Sequence, residues 1–391
     1  MRALFALAMI GIGSAGSAGC SKLLGITDPT VAPVTGDGGP IDTMVDSSID
    51  APPPCTTPTS FGAEIVLDTG EPALALAIGD FDAGGVDDIA IATGDDVSIF
   101  HGDGAGTFGG DGVKIKVPTP ASDLILDDFD ADGDDDLVMW TTGGTSVVLR
   151  RQNRLLNPPF EAAQPLTGPF TGVQHVLPGQ LDGDLRADVL VQDSTGSRVY
   201  TSNLGTPGTF GRDSALVGTG ADELLAIRQL DQAQRADAVF VTAAGDVRVS
   251  LQTSSFGALS TVATAVTGRG VALGNFDNDS FLDLVVATTT GLVLYRQVPA
   301  QPGTFTLTGT ISPLTGTTLA VGDLNGDGLD DIVVPSGFVL QCAPLASGGA
   351  GTFTQFEAVN VAGPLLLRDL TGDGKVDLLR LDGNALRVRI Q

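Results

Sequence analysis

The chain has 391 residues, 53 of them Gly, with 42% apolar residues and a formal net charge of −27. Such an acidic balance, with no long basic stretch to offset it, excludes nucleic acid as a partner. The length and apolar content suffice for a large core, and glycine-rich turns between short apolar runs argue for an all-β fold.

Met1 and Arg2 precede an apolar run, Ala3–Ile12, which is too short to span a bilayer, and then small residues from Gly13 to Gly19. Residues 1–19 therefore read as a secretory signal peptide. Ser17-Ala18-Gly19-Cys20 resembles a bacterial lipobox, with Ser17 where that pattern has Leu. The resemblance implies cleavage before Cys20, lipidation of its thiol and an outer-membrane or cell-surface location, with Ser21 rather than Asp following the Cys. Ordinary cleavage near Ala18 would instead give a soluble secreted product. If Cys20 is lipidated, Cys55 and Cys342 remain and can form a disulfide in an oxidising compartment. Residues 20–60 are rich in Pro, Thr, Ser, Asp and Gly, and Pro52-Pro53-Pro54 is stiff and extended. This stretch reads as a disordered linker.

From residue 61 the chain repeats. Phe recurs at positions 61, 108, 160, 210, 256, 305 and 353, at spacings of 47, 52, 50, 46, 49 and 48 residues. These spacings fall in the range of propeller repeats. Each Phe is followed by an apolar run, an Asp-rich nonapeptide and a second apolar run, as in Leu124–Leu126, Asp128–Asp136 and Leu137–Trp140. Short apolar runs bounded by Gly and Asp predict buried strands. A Gly-led third strand, such as Gly291–Tyr295, and the next Phe strand make four per repeat.

The pattern resembles FG-GAP (VCBS-type) repeats, as in the integrin α-subunit head, and covers residues 61–391. Phe-Gly itself stands at Phe61-Gly62, Phe108-Gly109, Phe210-Gly211 and Phe256-Gly257. The resemblance implies a seven-bladed β-propeller of four-stranded blades. The chain opens on an unpartnered Phe strand and ends on a third strand, Leu386–Ile390, so the first strand is expected to complete the last blade.

Calcium takes six to eight oxygens, and Asp or Asn at positions 1, 3, 5 and 9 of such a loop would supply them, with Gly at position 6 allowing the turn. Four copies fit this reading of Ca²⁺ loops. They offer Asp128, Asp130, Asp132 and Asp136 in the second copy, and Asn275, Asp277, Asp279 and Asp283 in the fifth. The sixth offers Asp323, Asn325, Asp327 and Asp331, and the seventh Asp369, Thr371, Asp373 and Asp377. The first copy (Asp80, Asp82, Asp88) and the third (Asp182, Asp184, Asp188) are open between calcium and plain turn chemistry. The fourth, Gln229–Asp237, is degraded and reads as a turn. An EF-hand is excluded, because position 12 is Met139, Val286, Val334 or Arg380 and the flanks are strands.

His101 and His175 sit in no ligand or triad motif and read as surface or loop residues. Arg150, Arg151 and Arg154 read as a solvated hairpin or an anion contact, and Arg228 or Arg368 as a partner for Asp127. With no catalytic set, the expectation is a non-enzymatic, monomeric surface scaffold holding a protein or polysaccharide. A polysaccharide-acting enzyme using the channel, or a purely structural envelope lipoprotein, are the alternatives.

Overall fold

The computed structural model describes residues 61–391 apart from 83, 154, 157–159, 185, 204–208, 213–215, 265–269, 289–290, 312–318, 335–336, 344–350 and 357–364. The signal peptide, the linker, Cys20 and the pairing of Cys55 lie outside the described residues.

Strand β1 (Ile65–Asp68) is followed by a first sheet of β2 (Ala75–Gly79), β3 (Asp88–Ala92), β4 (Gly94–Gly102) and β5 (Phe108–Ala121). The second sheet holds β6 (Asp123–Asp127), β7 (Asp136–Trp140), β8 (Val147–Arg150) and β9 (Gln164–Pro165). The third holds β10 (His175–Gly179), β11 (Asp188–Asp193), β12 (Gly196–Ser202) and β13 (Phe210–Arg212). The fourth holds β14 (Glu223–Arg228), β15 (Asp237–Val241), β16 (Val247–Ser250) and β17 (Ser260–Ala263). The fifth holds β18 (Val271–Gly274), β19 (Asp283–Ala287), β20 (Leu292–Gln297) and β21 (Phe305–Ile311). The sixth holds β22 (Ala320–Gly322), β23 (Asp331–Val334), β24 (Gly337–Ala343) and β25 (Thr352–Phe356). The last sheet has the order β1-β28-β27-β26, from β26 (Leu365–Arg368), β27 (Asp377–Asp382) and β28 (Ala385–Arg389). In it Ile65 lies opposite Val388 and Asp68 opposite Ala385.

All the strand pairs are antiparallel neighbours in sequence except β1 with β28, the architecture of four-stranded propeller blades. First strands of adjacent sheets lie against one another: β2 on β6, β6 on β10, β10 on β14, β18 on β22 and β22 on β26. Period-two alternation gives each sheet two apolar faces. Ala75, Ala77 and Ala90 of the first sheet pack with Leu124, Leu126 and Leu137 of the second. Between them, Leu76, Ile78 and Ile89 point the other way and pack with Leu366, Leu379 and Leu386 of the last sheet.

The outer strands depart from the Phe-led expectation. Phe108, Phe210 and Phe305 open their strands, but Phe160 and Phe256 make only isolated bridges, to Gln152 and Gln252, and β1 begins four residues after Phe61. An outer strand has one hydrogen-bonded neighbour, so its limits are set by side-chain packing more than by the ladder.

Where β2 ends, backbone and neighbour approach closely. A Cβ on Gly79 would stand 2.1 Å from Asp135 Oδ2, the oxygen that accepts the Asp80 N–H at 2.9 Å. Gly79→Ala should therefore lose about 2 kcal/mol or more in denaturant unfolding. Gly109→Ala, whose nearest neighbour would be a carbonyl at 3.9 Å, should change stability by less than about 1 kcal/mol.

Candidate cation loops

Each Asp nonapeptide joins the first strand of a sheet to its second, so position 9 is the first residue of the second strand: Asp88, Asp136, Asp188, Asp237, Asp283, Asp331 and Asp377. Loops of neighbouring sheets touch through backbone bonds, Asp135 N–H to Asp80 O, Ala236 N–H to Gln180 O and Asp330 N–H to Asn275 O.

Position 9 is the most regular feature of the molecule. One carboxylate oxygen accepts the N–H of loop position 2, from Phe81, Phe129, Leu181, Leu230, Phe276, Leu324 and Leu370, at 2.8–3.3 Å. The other accepts an N–H at the end of the third strand, from Gly102, Gln152, Ser202, Gln252, Gln297, Gln341 and Gln391, at 2.7–2.9 Å. These seven carboxylates are at most 1% exposed. Asp237 makes both bonds although its loop has lost the acids at positions 1 and 5, so the staple serves the fold independently of any ion. Where the donating third-strand residue is Gln, its side-chain amide reaches on to the preceding sheet. Gln152, Gln252, Gln297 and Gln391 donate to the position-2 carbonyls of Phe81, Leu181, Leu230 and Leu324 at 2.5–2.7 Å.

Positions 1, 3 and 5 wrap the turn. Asp323 accepts the N–H groups of Gly326 and Gly328 at 2.7 and 2.8 Å, and Asp369 those of Gly372 and Gly374 at 2.7 and 2.9 Å. Asn325 and Asp327, and Asp182 and Asp184, each accept the N–H two residues on. Asp373 does the same for Lys375 at 3.0 Å, and Thr371 turns its hydroxyl to Asp369. The backbone is left-handed at position 6, as expected, in Gly85, Gly133, Gly328 and Gly374. Position 4 is left-handed too, in Gly183, Gly326 and Gly372 but also in Ala131, Gln232 and Asn278.

Among the described residues, two loops bring their acids to a point. Asp128, Asp130 and Asp136 each bring one oxygen within 4.8 Å of the others, and Asp130 Oδ1 is buried without a hydrogen-bond partner. Asp82, Asp88 and His101 form the second such group. In the fifth loop Asn275 Oδ1 is likewise buried and unpartnered. Burial pushes the Asp136 carboxyl up to about 9 and Asp331 to about 8. It pushes Asp135, Asp188, Asp283 and Asp330 to about 7, and Asp237 and Asp377 to about 6. Asp132, Asp279, Asp80 and Asp323 are also raised, first by burial. So much buried acid in one layer favours protons or a cation.

Several basic groups stand elsewhere than expected. His101 lies in β4, 3.2 Å from Asp88 and 3.7 Å from Asp82, and His175 opens β10, where burial lowers its pKa. Arg151 is no solvated hairpin residue: it binds Asp130 at 3.2 Å and Glu161. Arg150 donates to the Glu161 carbonyl at 3.2 Å. Arg154 falls outside the described residues. Arg368 pairs not with Asp127 but with Asp87, through two bonds of 2.6 and 2.9 Å that join the last sheet to the first. Asp127 is buried beside Asp135, and its pKa is raised well above the usual range, first by that burial.

A sequence model described as "FG-GAP-like repeat" matches residues 128–223 and 275–334. The chain carries FG-GAP-like repeats. The matched spans hold the second, third, fifth and sixth Asp loops, and the FG-GAP-like repeats build a β-propeller of four-stranded blades. Solved structures share this fold at low identity. An Agrocybe aegerita lectin, described as recognising non-reducing terminal N-acetylglucosamine, is 16% identical, with a TM-score of 0.53 over 81% of this chain and 82% of its own. The Dos1 propeller is 12% identical (TM-score 0.52, covering 81% and 78%), and a streptogramin B lyase 14% identical (TM-score 0.51, covering 84% and 97%). These likenesses concern the fold alone. No curated protein matches the FG-GAP-like chain in sequence.

Proposed function

We propose that the protein is a calcium-binding surface scaffold: a closed seven-bladed propeller, exported and lipid-anchored at Cys20, that holds a ligand without transforming it. The observation that carries the calcium reading is the convergence of Asp128, Asp130 and Asp136 with an unpartnered buried oxygen on Asp130. A hard divalent ion bound there would neutralise the carboxylates and tie positions 1, 3 and 9 together. The sixth and seventh loops, with glycine at positions 4 and 6, have the turn such an ion needs. Ring closure is supported by the β1–β28 pairing, by the apolar cluster shared between the first and last sheets, and by the Arg368–Asp87 bridge.

Between the third and fourth sheets lies a cleft of about 320 Å³, where Arg212, Arg235, Thr201, Ser254, Ser255 and Phe256 stand beside one carboxylate, Asp182, and an apolar wall that includes Leu181 and Val217. Guanidinium, hydroxyl and aromatic groups suit a sugar bearing a carboxylate. The likeness to a lectin fold agrees with a glycan reading, and the likeness to a lyase keeps the enzymatic alternative in view. On a glycan array that includes uronic-acid and N-acetylglucosamine termini, the protein should bind an acidic glycan. Arg212→Glu should weaken that binding at least about tenfold while the protein still unfolds cooperatively above the assay temperature. Equal binding by the variant would remove the cleft from the account, and turnover of an array glycan would favour the enzyme. Cys20→Ala should move the protein from the detergent phase to the aqueous phase in phase partitioning; retention in detergent would refute the anchor.

A further inference from the structure

The residue just before the third-strand staple partner changes from sheet to sheet: His101, Arg151, Thr201, Leu251, Arg296, Leu340 and Ile390. In three sheets it turns back onto its own Asp loop, His101 to Asp82 and Asp88, Arg151 to Asp130 and Arg296 to Asp277. In the second sheet the Arg151 guanidinium lies 3.2 Å from Asp130, the position-3 carboxylate. In the fifth, Arg296 binds Asp277 at position 3 and stands 3.4 Å from Asp279 at position 5. The Asp277 side chain is wholly buried and that of Asp130 only 7% exposed. Two sheets, far apart in the chain, thus bring the same cation to the same loop position.

We propose that Arg151 and Arg296 are built-in competitors for the cation places of loops two and five. A divalent ion enters these loops only by displacing a guanidinium, and it binds them more weakly than loops six and seven. This rests on the calcium reading above. The oxygen donors of the two loops are retained, and one in each, Asp130 Oδ1 and Asn275 Oδ1, is buried and unpartnered. An ion therefore has ligands to find there, but part of the charge it would neutralise is already balanced. Loops six and seven carry Leu and Ile at the same place, side chains that offer no charge; Lys375 meets the position-5 carboxylate of Asp373 in loop seven at 3.6 Å, but both side chains are exposed and the pair is screened by solvent. Loop five also has Ser280 at position 6, outside the left-handed region, where loops six and seven have left-handed Gly328 and Gly374.

The test is calcium titration of the chelator-stripped full chain, wild type against Arg296→Gln and Arg151→Gln, by calorimetry with elemental analysis of bound metal. The wild type should show a tight and a weak class of sites. Each substitution should move one site from the weak class to the tight class, tightening it at least about tenfold. Each variant should also melt lower than wild type in EDTA and recover in calcium, a readout that needs no affinity fit. Unchanged or weaker calcium binding in both variants, with the wild type still binding, would overturn the competition and leave the calcium reading intact. No calcium bound by wild type or either variant would instead defeat the calcium reading itself, and this inference with it.

Discussion

Asp237→Ala should destabilise the protein by about 3–5 kcal/mol, in calcium and in EDTA alike. The substitution strips the acceptor from two N–H groups, those of Leu230 and Gln252, which the carboxylate takes at 2.8 and 2.7 Å. Each buried donor left unpaired costs about 1–3 kcal/mol. Asp237→Asn retains one carbonyl oxygen and should lose roughly half as much. Asp231→Ala in the same loop removes only the turn bond to Ala233 and should cost less than about 1 kcal/mol. The fourth loop is the right place for this comparison because Gln229 and Ala233 have already replaced the acids at positions 1 and 5. Chemical denaturation at two calcium concentrations checks it. A loss confined to calcium-containing buffer would mean that position 9 acts through an ion, not as a staple.

The second large effect couples pH to metal. In EDTA the melting temperature should fall on the order of 10 °C between pH 5 and pH 8.5, and in millimolar calcium the fall should be much smaller. The sign follows from the carboxyls that burial holds above the ordinary aspartate value of 3.8, among them Asp136 at about 9, Asp331 at about 8 and Asp123 at about 7. The folded chain keeps these protons longer than the unfolded chain. Their stabilising share is therefore complete below about pH 4 and is lost as pH rises through the folded values. A cation bound by the loop carboxylates favours their ionised forms and offsets that loss. Asp123, in β6 outside the loops, separates burial from metal: Asp123→Asn should raise the melting temperature at pH 8.5 with or without calcium. Differential scanning fluorimetry across the pH range gives all of these curves.

The strand order was legible because it is written into the side chains. Each second strand is an apolar run announced by an Asp, and runs such as Ile89–Ala92 and Leu137–Trp140 are buried on both faces as their patterning implies. The outer strands were read less well, because Phe160 and Phe256 pack without extending a ladder. The loop was legible as a motif, but its division of labour was not. Position 9 reads in sequence as one more oxygen among four, whereas in space it bridges two strands about fourteen residues apart, as from Asp188 to Ser202. His101, Arg151 and Arg296 were missed as loop neighbours because only the hairpin between second and third strands brings them back over the acids. A signal for the two arginines existed: Gln152, Gln252, Gln297, Gln341 and Gln391 recur in phase, and Arg151 and Arg296 each stand just before one of them; His101 precedes Gly102 and carries no such mark. Arg368 and Asp87 are separated by 281 residues, and only the meeting of the last sheet with the first pairs them.

Thermal unfolding of the purified protein in calcium and in excess EDTA, with bound calcium measured by elemental analysis, decides whether the Asp loops serve a cation while the position-9 carboxylates, which also face it, staple the fold with or without an ion. Bound calcium is expected, with a large and reversible drop in melting temperature on chelation and a chelated protein that still unfolds cooperatively because its staples are intact. Identical melting curves with no calcium bound would contradict the cation role and reduce positions 1, 3 and 5 to turn chemistry.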